Sequence, residues 1–163
     1  MIENLLNHIK PMSTPMNNSG SWDHIESTIN IELPSIYKQV INTYGDHNWN
    51  DFLWIINPFS FQNASEYLEF VQNTCEVERI LRKSFPENHL FPIYPEKHGL
   101  FPWAITDNGD TFFWVTQHSP DKWATVIKAA RAPEFEVKFI PCDILVLQIC
   151  KGTIKSMVLP DDL

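Results

Sequence analysis

Phe101 to Gln117 reads FPWAITDNGDTFFWVTQ, and this stretch decides the fold. Two aromatic, β-prone runs flank Asp107-Asn108-Gly109-Asp110. Asn-Gly is a strong pair for a tight hairpin turn, so the stretch predicts two antiparallel strands. Working outward, Trp123 to Lys128 (WATVIK) predicts a further strand, and Phe135 to Phe139 (FEVKF) a strand or the approach to a helix. Pro141 to Lys151 is apolar throughout, so periodicity cannot type it; its proline start and the glycine at 152 favour a helix. On the other side, Phe91 to Tyr94 is a short strand candidate set among prolines. Phe52 to Ile56 is a strand stopped by Asn57-Pro58.

The N-terminal third reads as helices. Ile2, Leu5, Leu6 and Ile9 recur at helical spacing, predicting a short amphipathic helix over residues 1–10. Pro11 to Ser21 is a polar loop. Ser21 can cap a helix whose Trp22, Ile25 and Ile29 share a face. Pro34 suits the first turn of the next helix, Ile36, Tyr37, Val40, Ile41 and Tyr44 make its stripe, and Gly45 can end it with a left-handed residue. Asn63 and Glu66 have capping-box spacing and open a long helix, roughly Ala64 to Lys83, with Tyr67, Leu68, Val71, Cys75, Ile80 and Leu81 as its buried side. Val158 to Leu163 ends polar and is expected to fray. Helices first, then a meander of strands, then a helix give an α+β fold: an antiparallel sheet with a central hairpin, flanked by helices.

With 163 residues the chain fits one domain, and 44% hydrophobic residues can fill a core. No apolar run approaches the roughly 20 residues that span a bilayer. No basic leader followed by an apolar block is visible, so a cytoplasmic location is expected. Twenty carboxylates against twelve Lys and Arg give a formal charge of −8. That surplus repels phosphate backbones, disfavours nucleic acid and favours a basic partner. Cys75, Cys142 and Cys150 are odd in number, lack a CxxC pair and sit among apolar neighbours, which predicts reduced, mostly buried thiols.

The search for chemistry finds little. Neither GxGxxG nor GxxxxGK[ST] occurs, nor GxSxG, nor HExxH, and six scattered histidines give no metal-ligand spacing. Burial raises a thiol pKa, which argues against a cysteine nucleophile. Asp107 and Asp110 could serve as a cation site or an acid–base pair, but carboxylates beside Asn-Gly more often accept hydrogen bonds within the turn. No catalytic residue, metal or cofactor is therefore expected.

Taken in order, Trp22-Asp23-His24-Ile25-Glu26, Leu33-Pro34-Ser35-Ile36-Tyr37-Lys38, Tyr44-Gly45, Phe52-Leu53 to Asn57-Pro58, Phe101-Pro102-Trp103-Ala104 with Asn108-Gly109-Asp110 and Phe113-Trp114, Trp123 to Val126, and Leu145 to Gly152 resemble the SUKH superfamily. The resemblance covers about residues 22–152. It divides the chain into an N-terminal extension, 1–21, and a SUKH-like domain, 22–163. It implies an antiparallel sheet flanked by helices, no shared catalytic residues, and a bacterial immunity protein that neutralises a cognate polymorphic or contact-dependent toxin, often a nuclease, by direct binding. The alternative it implies is a regulatory or scaffolding module with an endogenous protein partner.

Polarity and loop position supply the candidate partner-binding residues: Asp46, Trp49 and Asp51 in one loop, with Glu96, Asp107 and Asp110 near the hairpin. Carboxylates would steer a basic toxin and a tryptophan would anchor it. For Trp49 the competing reading is a ring folded back over the sheet edge.

Overall fold

The computed structural model describes residues 2–163. The hairpin forms as β3 (Leu100–Thr106) and β4 (Thr111–Val115), with Leu100 opposite Val115 and Ile105 opposite Thr111. Its turn differs from a two-residue Asn-Gly turn. Only Gly109 has positive φ (+89°); its N–H donates to the Thr106 carbonyl, and the Thr106 N–H to that of Asp110, both at 2.9 Å. The loop is thus Asp107-Asn108-Gly109, with glycine supplying the left-handed residue that a three-residue hairpin needs.

Four more strands extend the hairpin into an antiparallel sheet of order β1 to β6: β1 (Asn48–Trp49), β2 (Leu53–Ile55), β5 (Ala124–Lys128) and β6 (Phe135–Lys138). β1 lies in what reads as a polar loop. Asn50 and Asp51 make the return possible at φ +60° and +51°, a conformation that Asn and Asp tolerate better than most residues. Phe91 to Tyr94 does not form a strand; it contributes one isolated bridge, Ile93 to Leu100. The β3–β4 register slips between Pro102 and Ala104, and the Trp103 carbonyl accepts instead from the Ile56 N–H at 2.9 Å. A proline without an N–H is accommodated at such a bulge.

Among the described residues five α-helices complete the fold: α1 (Glu3–His8), α2 (Trp22–Ile29), α3 (Ser35–Tyr44), α4 (Ala64–Ser84) and α5 (Cys142–Cys150). Met1, included in the expected first helix, lies outside the described residues. Ser21 caps α2 by accepting from the His24 N–H at 3.2 Å. Asn63 caps α4 through the Glu66 N–H at 3.0 Å, while Glu66 reaches back to the Gln62 N–H, one residue beyond the usual box. Pro34 sits at the cap of α3, just before the first turn.

Gly45 ends α3 at φ +57°, ψ −136°. A Cβ there would lie 1.9 Å from the Met16 carbonyl oxygen, which accepts from the Asp46 N–H at 2.8 Å. Gly45→Ala is therefore expected to lower stability by about 1–3 kcal/mol, read as a lower urea midpoint at unchanged m-value.

The buried stripe of α4 runs Ala64, Tyr67, Val71, Cys75, Glu78. Steps of three and four residues bring it to Glu78, so Ile80 is 56% exposed rather than buried. Most of the core is one cluster joining the helices to Phe101, Trp103, Phe112, Trp114 and Ile127. A smaller one holds Leu100, Phe113, Val115 and Val126, the alternate residues of the same strands. The described part of the N-terminal extension, residues 2–21, joins the large cluster: Leu5 is fully buried, α1 packs on α5, and the Tyr44 hydroxyl donates to the Ile9 carbonyl at 2.7 Å. The C-terminal segment is also held rather than frayed. Leu159 is 5% exposed, and the Ser156 hydroxyl accepts from the N–H groups of Val158 and Leu159 at 3.0 and 2.8 Å.

Candidate partner-binding surface

The β1–β2 loop and the central hairpin turn meet at one end of the sheet, where the Asp107 N–H donates to the Phe52 carbonyl at 2.9 Å. That bond sets Asp51 beside Asp107. Along β2 successive side chains alternate faces: Leu53 is fully buried and Trp54 is 44% exposed. The Trp54 indole N–H donates to Asp107 Oδ1 at 2.7 Å, which fixes the ring. Asp51 Oδ1 accepts from Asn48 Nδ2 at 2.6 Å. Asp46 accepts from Asn57 Nδ2 at 2.8 Å, from Asn17 Nδ2 at 2.6 Å and from the Ser60 hydroxyl.

All of these donors are neutral groups, so the three carboxylates are held in place without an ion-pair partner among them. Trp54 and Asp46 border a cleft of about 340 Å³ whose apolar wall includes Phe61, Phe70 and Ile105, and no lysine or arginine lines it. The surface is an exposed, oriented indole over an apolar trough, with fixed negative charge around it.

Three of the sequence candidates lie elsewhere. Trp49 is 1% exposed, packed edge-on against Tyr44 at 4.8 Å and beside His47 at 4.4 Å. Its ring is a core side chain and is not available as an anchor; the exposed indole of this region is that of Trp54. The signal was the alternation within Phe52–Ile56, which gives neighbouring residues opposite faces. Phe61, Phe70 and Ile105 carry no comparable signal, because only the packing of α4 brings them together. Asp110 is 6% exposed and ties the hairpin to the β5–β6 loop: Oδ2 accepts from the Thr106 hydroxyl at 2.9 Å and Oδ1 from the Ala130 N–H at 3.0 Å.

Glu96 sits in the segment before β3, where it accepts from the Ile93 N–H at 2.8 Å and pairs with Arg82 at 3.0 Å. The backbone bond, then Arg82, hold its carboxyl below the usual glutamate range. A depressed folded-state pKa means that this contribution is present above the unfolded value and fades as pH falls through the folded one. Glu96→Gln is therefore expected to be less stable than the parent at neutral pH, with the two urea midpoints converging in acid.

All three thiols are shifted away from the thiolate form. Burial pushes Cys75 up to about 12 and Cys150 up to about 11, and Cys142 is raised by the same cause. Among the described residues no group of three or more His, Cys, Asp or Glu is placed to hold a metal ion. No helix among them is long and apolar enough to cross a membrane. Comparison with protein-family models, curated proteins and solved structures finds no match to this chain.

Proposed function

We propose that this protein acts by occupying a basic protein's surface, as a cytoplasmic immunity protein that neutralises a cognate toxin, a nuclease being the class that best fits the charge. The observation that carries the reading is Trp54, held by Asp107 beside an apolar trough, with Asp51 at the same end of β2 and Asp46 across the trough at the other. Fixed carboxylates raise the encounter rate with a basic surface. A half-exposed indole whose orientation is already set loses little freedom on binding and supplies dwell time. The resemblance to the SUKH superfamily supports the same reading, and nothing in it requires a bond to be made or broken.

The test is co-expression with the toxin encoded beside the gene. Survival above an empty-vector control supports the reading; survival equal to it, with no complex on size exclusion, rejects it. Trp54→Ala is expected to change stability by about 1 kcal/mol or less, because the ring is half exposed. The same substitution should weaken partner binding by roughly thirtyfold or more, the effect of losing an interface anchor. Calorimetry of the complex beside urea denaturation of the free variant separates the two effects.

A further inference from the structure

A second cleft, of about 390 Å³, opens between the C-terminal half of α4 and the β5–β6 loop, away from Trp54. Its floor holds charges that a small domain rarely buries. Lys128 is 7% and Glu78 6% exposed. The Lys128 ammonium lies 2.5 Å from Glu78 Oε2 and 2.6 Å from His89 Nδ1. An ammonium has only hydrogens to offer, so His89 Nδ1 accepts, and in the neutral ring the proton is on Nε2. The 3.1 Å separation of His89 Nδ1 and Glu78 Oε2 is then that of two acceptors around one ammonium.

Two of the three Lys128 hydrogens are thereby used, and among the described residues no third acceptor is in reach. The side chains of Asn88 and Arg131, also on the cleft, make no hydrogen bond or ion pair with the described residues. Within the cleft two cations, Lys128 and Arg131, face one carboxylate, Glu78; Arg131 also borders the adjoining hollow lined by Asp107 and Asp110. The remaining wall is apolar: Leu81, Phe85, Ala129, Ala132 and Pro133.

We propose that this cleft binds a small aliphatic monocarboxylate. Its head would accept from the donors of Lys128, His89, Asn88 and Arg131, and its chain would lie along Leu81, Phe85 and Pro133. Surplus donors beside an apolar wall suit an amphiphilic anion, whereas an aliphatic cation would find the one carboxylate, Glu78, already taken by Lys128. This inference is independent of the partner-binding reading.

The test titrates octanoate, hexanoate and octylammonium into ¹⁵N-labelled protein, followed by amide shifts. Octanoate should saturate one site, moving Phe85, His89 and Ala129 to Arg131. Hexanoate should bind roughly tenfold more weakly, for two fewer buried methylenes. Arg131→Ala, at an exposed position, should weaken octanoate at least fivefold while the protein stays folded, and Ala132→Trp should block it by filling the cleft. Absence of saturation, equal binding of octylammonium, or an affinity unchanged in both variants would overturn the proposal.

Discussion

Replacing Lys128 by methionine is expected to lower stability by about 3–5 kcal/mol, because it strands the Glu78 carboxylate without its ammonium. The pair joins α4 to β5 at 2.5 Å, with both side chains 8% exposed. The double substitution, Glu78→Leu with Lys128→Met, should recover most of the loss, since exchanging a buried ion pair for apolar side chains of similar volume is often neutral or stabilising. Chemical denaturation of the parent, both single variants and the double variant completes the cycle. Equal losses in the single and double variants would show that packing, rather than charge pairing, dominates here. Recovery in the double variant would also indicate that stability alone does not require these charges, as expected if the cleft they line binds a ligand.

The second large effect is expected at Trp114. Trp114→Ala should cost about 3–5 kcal/mol, within the range for removing a buried aromatic ring. Its indole is 2% exposed and lies between two layers of the fold. It stacks on Trp103 at 5.4 Å and 12°, receives the edge of Tyr37 from α3 at 5.0 Å, and meets Trp123 at 5.8 Å. The cavity left by alanine cannot close easily, because Tyr37 is pinned by its hydroxyl bond to the Ile56 carbonyl and Trp103 by the bulge. Trp114→Phe should lose less by keeping a ring in the stack. Against a total of about 5–15 kcal/mol for a domain, the alanine variant is expected to be marginal at best. A midpoint close to that of the parent would mean that the aromatic layer is looser than the stack implies.

Local chemistry made much of the fold legible. The hairpin, the α4 cap at Asn63, the Ser21 cap and the helix after Pro141 depend on residues close in sequence, so they can be read before any tertiary contact is known. β1 could not be read that way. A two-residue strand exists only because β2 pairs with it, and Asn50-Asp51 looks like any polar loop until that pairing is seen. The buried side of α4 failed at Ile80 because an apolar residue was expected to be inside, whereas Glu78 keeps the helical step and Lys128, fifty residues away, compensates its charge.

The same limit applied to the candidate surface. Asp46, Asp51 and Asp107 could be picked out by polarity; the structure sets Asp51 beside Asp107 at one end of β2 and Asp46 at the other, against Asn57. Choosing between Trp49 and Trp54 required the strand register, which puts the first in the core and the second outside. Glu96 reads in sequence only as a charge near the hairpin, and Asp110 as a turn acceptor or partner contact; the fold adds Arg82 to the first and the Ala130 N–H to the second.

The central claim is that the Trp54 surface binds a basic protein. It is tested most directly by calorimetric titration of the purified chain with the purified product of the adjacent toxin gene, beside Trp54→Ala and a triple variant, Asp46→Asn, Asp51→Asn, Asp107→Asn. The expected result is a one-to-one complex, weakened by loss of the indole and associating more slowly, with a flatter salt dependence, once the carboxylates are neutralised. No heat of binding, or a complex indifferent to both variants, would contradict it.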